Sequence, residues 1–314
     1  MKANAEYSAF VHSIAFEAPG VIRLELRSRN GAPLPRVEPG AHIDLQLPNK
    51  MVRSYSLIDA DERRFVIGVK RENEGGGGSR HIHENLRVGQ ELIVTGPRNN
   101  FRLDEQAPHV VLIGGGIGIT PLLFMARSLS EAGRSWELHY AAKTPRDTAF
   151  SDIVSSFEAK AHLYFSRAEG GVRPDIAQIV KRAPAGAHFY CCGPRSMLAE
   201  FETATASLPP SHVHLERFAG DEADTTGSFS IQLARTGGTY RVEEGSTILD
   251  VLLEHDVQMD YSCTEGVCGS CMVTVLDGEP DHKDFVLSSD ERRKNDRIIT
   301  CCSRAKSSRL VLDI

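Results

Sequence analysis

Short runs in which apolar and polar residues alternate are the main pattern of the first third of the chain. Three of them are Val21–Leu26, Ala41–Leu47 and Phe65–Lys70. Alternation with a period of two predicts strands with one buried face, and the Pro and Gly residues between the runs predict turns. Several such strands in succession favour an antiparallel barrel, which we expect over residues 1–105.

The pattern changes at His109–Ile113, a continuous apolar run followed by glycines and by a helical stretch from Pro121 to Ala126. Apolar strands and helices then alternate, which predicts a parallel sheet covered by helices over residues 106–224. The predicted strands are Glu137–Tyr140, His162–Phe165 and His188–Cys191, and the predicted helices are Asp175–Arg182 and Ser196–Leu208.

A small, polar and acidic stretch, Ala219–Gly227, has the composition of a linker. A predicted hairpin follows, with strands Phe229–Leu233 and Thr239–Val242, and then a predicted helix from Thr247 to His255. We therefore expect a third, compact α+β domain over residues 225–314.

That third segment contains four cysteines with the spacing C-x4-C-x2-C followed by one distant cysteine: Cys263, Cys268, Cys271 and Cys301. This is the plant-type ferredoxin pattern for a [2Fe–2S] cluster. Gly266 and Gly269 would let backbone amides approach the cluster. The alternative is zinc, but four-cysteine zinc sites usually pair two short C-x2-C knuckles, and only one is present here.

Composition narrows the choice of partners. The 314 residues carry a net charge of −6 with scattered basic residues, which does not indicate nucleic-acid binding. No apolar run is long enough to span a membrane, and residues 1–6 lack the apolar core of a signal peptide. We expect a cytoplasmic protein, in which Cys191, Cys192 and Cys302 stay reduced.

A flavin needs a cation for its phosphate, a wall for its ring, and small hydroxyl or amide donors. The segment Arg53-Ser54-Tyr55-Ser56 supplies each type. Alone it could equally be a solvated strand face. The flavin interpretation of this segment is supported by Glu74–Ser79, a glycine-rich segment that precedes a predicted helix and would present amides to a phosphate. Without the Arg53 segment, a flexible surface loop would be the better interpretation.

Two further segments end predicted strands of the parallel sheet. Gly114–Pro121 joins a strand to a helix, as a dinucleotide-binding loop does, although a tight turn without a ligand gives the same pattern. Cys191-Cys192-Gly193-Pro194 places thiols at the sheet edge where ligands bind, although most such thiols are inert core residues. We interpret Cys191 and Cys302 as structural, and the histidines, including His81, His83, His188 and His214, show no convincing metal spacing.

These segments, together with His214–Phe218, resemble the phthalate dioxygenase reductase family over nearly the whole chain; vanillate O-demethylase reductases within that family are equally similar. The resemblance implies a flavin barrel, a nicotinamide domain and a C-terminal β-grasp ferredoxin domain, in that order. It implies FMN, a [2Fe–2S] cluster and NADH as cofactors, with NADPH as the alternative donor.

The resemblance also implies roles for individual residues. Arg53 and Gly77-Gly78-Ser79 would hold the FMN phosphate, Tyr55 and Ser56 would line the ring beside Ser54, and Gly68-Val69-Lys70 would form the strand that passes the flavin. The nicotinamide and the reacting ring would be contacted by Thr120, Cys192 and Phe218. From the residues themselves, we predict the remaining nucleotide-binding positions, which are Gly114, Gly115, Gly116, Gly118, Pro121, Ser166, Arg167, Gly193 and Pro194.

Two positions depart from the family pattern. Gly76 stands where the family usually has an arginine, and loss of one charge-assisted contact would cost roughly 1.5–3 kcal/mol of phosphate binding. After the strand ending at Phe165, Ser166-Arg167 replaces the acidic residue that usually accepts a bond from the adenosine 2′-hydroxyl. With Lys143 and Arg146 near the same edge, a 2′-phosphate could be accepted instead.

The implied function is electron transfer from NAD(P)H through FMN and the cluster to an external Rieske-type oxygenase, which acts on an aromatic acid or another small carboxylated or amine substrate. Two alternatives remain open at this stage. One is a reductase for another acceptor such as a cytochrome P450, and the other is a non-catalytic redox sensor.

Overall fold

The computed structural model describes residues 6–48, 51–72, 77–218 and 227–314. Residues 74–76 of the glycine-rich segment and 219–226 of the predicted linker lie outside this part. The chain forms two compact units, Met1–Glu216 and Arg217–Ile314.

The first unit begins with the predicted antiparallel barrel. Alternating side chains of its strands fill the interior, where Leu24, Ile43 and Ile67 are fully buried. The closed barrel has the strand order β1-β2-β5-β4-β3-β6. Its strands are β1 (Glu6–Ala18), β2 (Val21–Ser28), β3 (His42–Gln46), β4 (Val52–Ala60), β5 (Arg64–Lys70) and β6 (Glu91–Arg98), and helix α1 (Gly78–Asn85) lies between β5 and β6.

The same unit continues into a five-stranded parallel sheet with the order β11-β10-β7-β8-β9. The strands are β7 (Val110–Gly115), β8 (Trp136–Ala142), β9 (Ala161–Phe165), β10 (His188–Cys192) and β11 (Val213–Glu216), and the helices are α2 (Ile119–Glu131), α3 (Ser151–Ser155), α4 (Ile176–Arg182) and α5 (Arg195–Thr205). The chain winds outward from β7 in one direction and then from β10 in the other. The strand order therefore reverses between β7 and β10, and such switch points bind ligands in open α/β sheets.

Barrel and sheet pack against each other within this unit. Arg127 of α2 forms a 2.5 Å ion pair with Asp59 of β4. The backbone amide of Asp104, which follows the barrel, donates a 2.8 Å hydrogen bond to the hydroxyl of Tyr190 on β10. These contacts fix the barrel against α2 and β10.

The second unit is the predicted α+β domain. Its main sheet has the order β13-β12-β18-β14-β16, and β15 pairs with β17. Helix α6 begins with a reciprocal capping box between Thr247 and Asp250. The elements are β12 (Phe229–Leu233), β13 (Thr239–Val242), α6 (Ile248–Glu254), β14 (Met272–Asp277), β15 (Pro280–Asp281), α7 (Ser289–Lys294), β16 (Arg297–Ile299), β17 (Arg304–Ala305) and β18 (Arg309–Leu312). The barrel, the parallel sheet and the C-terminal α+β domain confirm the fold class predicted from the sequence.

Candidate functional site

A guanidinium and a helix N-terminus meet at the start of α1. A Cβ atom added to Gly78 would lie 2.6 Å from Cγ of Arg53, so the arginine side chain lies directly over this glycine. Gly77, at the N-cap of the helix, is in the left-handed conformation at φ 72° and has no side chain with which to cap the first turn. Ser79 Oγ accepts a 3.0 Å hydrogen bond from the amide of Glu72, which joins the residues after β5 to the start of α1. This combination of a cation and a helix N-terminus fits a phosphate group.

The strands beside this cradle carry the predicted ring-lining residues. Tyr55 on β4 is half-buried against the barrel core, and Ser54 donates a 2.6 Å hydrogen bond to Asp44. On β5, the Val69 carbonyl lies 3.0 Å from Nε2 of His83, which ties the strand to α1. Lys70 is exposed and pairs with a neighbouring glutamate.

Gly68 brings the barrel to the first nucleotide loop. A Cβ atom at this position would lie 2.8 Å from Cγ2 of Thr120 and 2.6 Å from the ring of Phe150. Thr120 is buried at the start of α2, and its hydroxyl donates a 3.0 Å hydrogen bond to the carbonyl of Ile117. Only a residue without a side chain permits this approach, so the predicted flavin strand and the predicted nicotinamide loop lie next to each other.

The two glycine loops of the sheet pack against each other at the switch point. A Cβ atom on Gly118 would lie 2.3 Å from the carbonyl oxygen of Cys192, and one on Gly115 would lie 2.6 Å from Cδ of Pro194. Gly114 pairs with Cys192 in the sheet register. A Cβ atom on Gly193 would lie 3.1 Å from the amide nitrogen of Gly115. Gly116 has φ 55° and is exposed, and Pro121 is buried in the first turn of α2. The loops thus form a continuous backbone surface, which suits a pyrophosphate.

A carboxyl group that sequence reasoning did not assign completes this region. Ser56 Oγ lies 3.5 Å from Oε2 of Glu216, the last residue of β11, and donates a long hydrogen bond to it. Glu216 is opposite Cys192 in the strand register. Its carboxyl group is desolvated although the residue keeps some exposure, and this burial raises the pKa of Glu216 to about 8. Burial, with the nearby carboxyl group, also raises the pKa of the Cys192 thiol, which keeps it protonated.

The predicted adenosine site is open to solvent. Ser166 and Arg167 follow β9 and are exposed, as are Lys143 and Arg146. The amide of Arg167 donates a 2.8 Å hydrogen bond to the carbonyl of Lys143, which brings the two cationic residues to the same edge of the sheet. This edge is basic, and neither residue of the Ser166-Arg167 pair is acidic.

The second unit contains the cysteine loop. Cys263, Cys271 and Cys301 are buried, and Cys268 is half-buried. The amide of Gly266 donates a 3.2 Å hydrogen bond to the sulfur of Cys301, and the amide of Glu265 donates one of 3.4 Å to the sulfur of Cys263. Sulfur ligands that accept backbone hydrogen bonds are the donor set of an iron–sulfur cluster, so the loop fits the predicted [2Fe–2S] group.

The cysteine thiols also contact one another. A hydrogen bond with Cys268, together with one from Cys301, lowers the pKa of Cys263 far below the ordinary thiol value. A contact with Cys301 lowers the pKa of Cys271 to about 7.

The remaining cysteine of the loop region, Cys302, is buried, and its sulfur would lie 2.5 Å from a Cβ atom on Gly266. Glycine at 266, with φ 72°, is therefore required both by the backbone conformation and by the space available.

Phe218 is half-buried and belongs to the second unit. In the first unit, the structure brings together Arg53 with Gly78, Gly68 with Thr120, Gly118 with Cys192, and Ser56 with Glu216. Glu216 left a weak signal in the sequence, as an acidic residue that ends a short strand after Val213–Leu215. Its desolvation depends on packing between barrel and sheet, which the sequence pattern does not reveal.

Comparison with known proteins agrees with this architecture. Residues 231–306 match the family model described as a 2Fe-2S iron-sulfur cluster binding domain. The chain is 48% identical over 313 residues to the phenoxybenzoate dioxygenase subunit beta of Ectopseudomonas oleovorans, covering 99% of this chain and 98% of that protein. It is 38% identical over 297 residues to the phthalate dioxygenase reductase of Burkholderia cepacia, covering 92% of each. A solved phthalate dioxygenase reductase, with electron transfer from pyridine nucleotides to [2Fe–2S], superposes with a TM-score of 0.81 at 34% identity, covering 99% of this chain and 98% of that one.

A flavin barrel, a nucleotide-binding sheet and a cluster-binding domain in one chain define a modular iron–sulfur flavoprotein reductase. The chain belongs to the phthalate dioxygenase reductase family. It is an oxidoreductase with FMN, a [2Fe–2S] cluster and NAD(P)H as its cofactors. Within the described residues, none of the helices combines the length and the apolar character required to cross a membrane.

Proposed function

We propose that this chain is the reductase component of a Rieske-type oxygenase system whose substrate is an aromatic carboxylate or a related aromatic compound. Full-length relatives support this assignment, because they are named as subunits or reductases of phenoxybenzoate, 3-chlorobenzoate and phthalate dioxygenases and of a vanillate O-demethylase. The structural observation that supports the proposal is the contact region between barrel and sheet, which we call the seam. There Gly68 packs against Thr120, and Ser56 donates a hydrogen bond to Glu216.

FMN, when bound, accepts a pair of electrons as hydride and gives them up singly, and the cluster carries one electron at a time. In our proposal Arg53 and the first amides of α1 hold the FMN phosphate, with Gly77, Gly78 and Ser79 shaping the cradle. Tyr55 and Ser56 line the ring, next to Ser54 and the β5 segment Gly68-Val69-Lys70. These groups would bind and orient the flavin beside the switch point of the sheet.

The nicotinamide side of the seam is assigned to Thr120 and Cys192, and Phe218, in the second unit, keeps the role that the family resemblance implies. The loops containing Gly114–Gly118, Pro121, Gly193 and Pro194 would bind the pyrophosphate, and Ser166 and Arg167 the adenosine end. Glu216 holds a proton at neutral pH because burial raises its pKa to about 8, so the carboxyl group adds no negative charge beside Ser56 and Cys192. The buried Cys192 thiol excludes water from the same place.

Cys263, Cys268, Cys271 and Cys301 are the proposed cluster ligands. The backbone amides of Glu265 and Gly266 would stabilise the reduced cluster by donating hydrogen bonds to ligand sulfurs. We further propose that the protein works in the cytoplasm, which is supported by seven cysteines that form no disulfide bond among the described residues and by the need for a reduced nicotinamide supply.

A full-length Cys268→Ser variant tests the proposed relay. It should keep NAD(P)H-dependent reduction of ferricyanide, which takes electrons from the flavin, and lose reduction of cytochrome c and of the partner oxygenase. Cys302→Ser is the matched control, because this thiol lies in the same region but is not a proposed ligand. If Cys268→Ser still reduces cytochrome c at the wild-type rate, the relay through the cluster is wrong.

Reconstitution identifies the acceptor. The purified reductase should support turnover of a Rieske-type aromatic oxygenase and fail with a cytochrome P450. Efficient turnover with the P450 alone would replace the proposed partner, and absence of rapid ferricyanide reduction with NAD(P)H would instead favour a redox sensor.

A further inference from the structure

Three potential metal ligands lie together on two neighbouring strands of the parallel sheet. Glu137 and His139 are on β8, two residues apart, and therefore on the same face of the sheet. His162 on β9 is directly opposite His139 in the strand register, so its side chain lies on that face as well. β9 is the edge strand. We refer to Glu137, His139 and His162 as the edge cluster.

The ligand atoms of the edge cluster converge. Nε2 of His139 is 3.5 Å from Oε1 of Glu137, and Nε2 of His162 is 4.0 Å from Oε2 of the same carboxylate. One ligand atom from each residue lies within 4.8 Å of the other two. The two imidazole rings are stacked with centroids 4.9 Å apart. Ligands of tetrahedral zinc, with bonds of about 2.0–2.1 Å, stand ~3.3 Å apart, so small side-chain rotations bring the three atoms onto one ion.

His139 supplies a second observation. The residue is 7% exposed, and its Nε2 atom has no hydrogen-bond partner among the described residues. Its other ring nitrogen, Nδ1, lies 2.9 Å from the hydroxyl of Tyr164. A metal-binding histidine is usually held in this way by a hydrogen bond to the nitrogen that does not bind the metal. Tyr164 thus orients His139 so that its Nε2 atom faces the Glu137 carboxylate.

Access and surroundings also suit a cation. The side chain of His162 is 46% exposed and that of Glu137 is 30% exposed, so an ion can reach the cluster from solvent. His109 brings another imidazole to within 3.8 Å of Glu137 Oε1. Glu137 and His162 are each the second residue of their strand, whereas Ser166 and Arg167 follow the other end of β9. The edge cluster is therefore separate from the nucleotide edge of the sheet.

We propose that Glu137, His139 and His162 form a binding site for Zn²⁺, with Tyr164 as a positioning residue for His139. Two neutral imidazoles and one carboxylate form a ligand set that zinc accepts, and solvent can occupy the fourth position. The bound ion would tie the edge strand β9 to β8. Neither the flavin nor the cluster takes part in this site, so it stands independently of the proposed electron relay.

Zinc binding can be measured on the full-length protein with its flavin and cluster in place. The protein is dialysed to equilibrium against buffered micromolar Zn²⁺, and zinc and iron are counted by mass spectrometry. Wild type should hold one zinc more than His162→Gln and Glu137→Gln, in which affinity should fall by about tenfold or more. His12→Gln is the matched control. His12 also lies 4.0 Å from a glutamate, Glu25, but this pair contains one imidazole, whereas the edge cluster contains two.

X-ray absorption at the zinc edge separates this site from the cysteines. The expected first shell contains nitrogen and oxygen and no sulfur, and Tyr164→Phe should weaken binding without changing that shell. A sulfur-containing shell, equal zinc content in wild type and His162→Gln, or no zinc in wild type would each overturn the proposal. Because iron is counted in the same samples, displacement of cluster iron by zinc is detected as a loss of iron and also counts against the site.

Discussion

The hydroxyl of Ser56, on a strand of the barrel, donates a 3.5 Å hydrogen bond to the carboxyl group of Glu216, on the last strand of the parallel sheet. The two residues are far apart in sequence, and they meet only because the barrel packs on the sheet within one unit. This contact lies beside Cys192, which we propose lines the nicotinamide site.

Replacement of Glu216 by glutamine should change how stability depends on pH. The pKa of Glu216 is raised to about 8 in the folded protein, whereas an unfolded glutamate has a pKa of about 4.3. Between these values the folded state binds more protons than the unfolded state, so the free energy of unfolding falls as pH rises through this window. The glutamine in Glu216→Gln cannot ionise. Above pH ~8 the free energy of unfolding of this variant should therefore exceed that of wild type by on the order of 2 kcal/mol, and the difference should shrink toward pH ~4.

Urea unfolding of both proteins across this pH range measures the difference. Glu25→Gln serves as a control at a partly buried glutamate that is paired with arginine on the barrel surface. Parallel stability profiles for wild type and Glu216→Gln would show that the carboxyl group is ionised in the fold at neutral pH.

Alanine at position 78 should weaken FMN binding. Its Cβ atom would lie 2.6 Å from Cγ of Arg53, and this flexible side chain would have to leave the start of α1. Loss of one charge-assisted contact corresponds to about a tenfold or greater rise in the FMN dissociation constant. Arg53→Ala should have a similar effect, and Asn85→Ala, at the far end of the same helix, should have none. Flavin fluorescence on dilution of the holoprotein measures the constant, and unchanged affinity in Gly78→Ala would argue against the phosphate cradle.

Alanine at position 118 should impair NAD(P)H use. The backbone of Gly118 has φ −62°, which alanine adopts freely, so the effect must come from the Cβ atom, which would lie 2.3 Å from the Cys192 carbonyl oxygen. The two nucleotide loops must separate, which should cost about 1–3 kcal/mol of stability and raise the KM for NAD(P)H. Steady-state kinetics with ferricyanide, together with thermal unfolding, test this. FMN and iron contents should stay at wild-type levels, and an unaltered KM would remove Gly118 from the nucleotide site.

Coenzyme choice depends on the exposed basic edge after β9. We expect NADH to be the preferred donor, as in the family, and Arg167→Ala to reduce activity with NADPH more than activity with NADH, since a guanidinium pairs with a 2′-phosphate. Initial rates over a range of each coenzyme give the two kcat/KM values. Arg146→Ala tests whether the neighbouring exposed arginine shares the role. A large preference for NADPH in the wild type would overturn the NADH assignment.

Much of the fold follows from local sequence pattern. The alternation in Val21–Leu26 and Phe65–Lys70 predicts barrel strands, and the apolar run ending at Ile113 predicts a buried parallel strand, because burial on one face or on both leaves different periodicities. The cysteine spacing is similarly local, since a tight loop must bring three thiols to one side of a small cluster. The family resemblance then supplied the flavin and nicotinamide assignments.

The contacts that join these parts could not be predicted in the same way. Gly68 is an ordinary glycine in the sequence, and its close approach to Thr120 depends on how barrel and sheet pack. The raised pKa of Glu216 comes from desolvation of its carboxyl group, which local sequence does not show. His139 and His162 are 23 positions apart and face each other only through the register of β8 and β9. Such properties arise from tertiary structure, which periodicity does not encode.

The position of β18 has a consequence for biosynthesis. This strand lies between β12 and β14 near the middle of its sheet, yet it follows the whole cysteine loop in sequence. A ribosome therefore produces all four predicted ligands before it produces the strand that completes the sheet. Stable iron and sulfide insertion is thus expected after β18 has emerged from the exit tunnel, when all five strands of the sheet can pair.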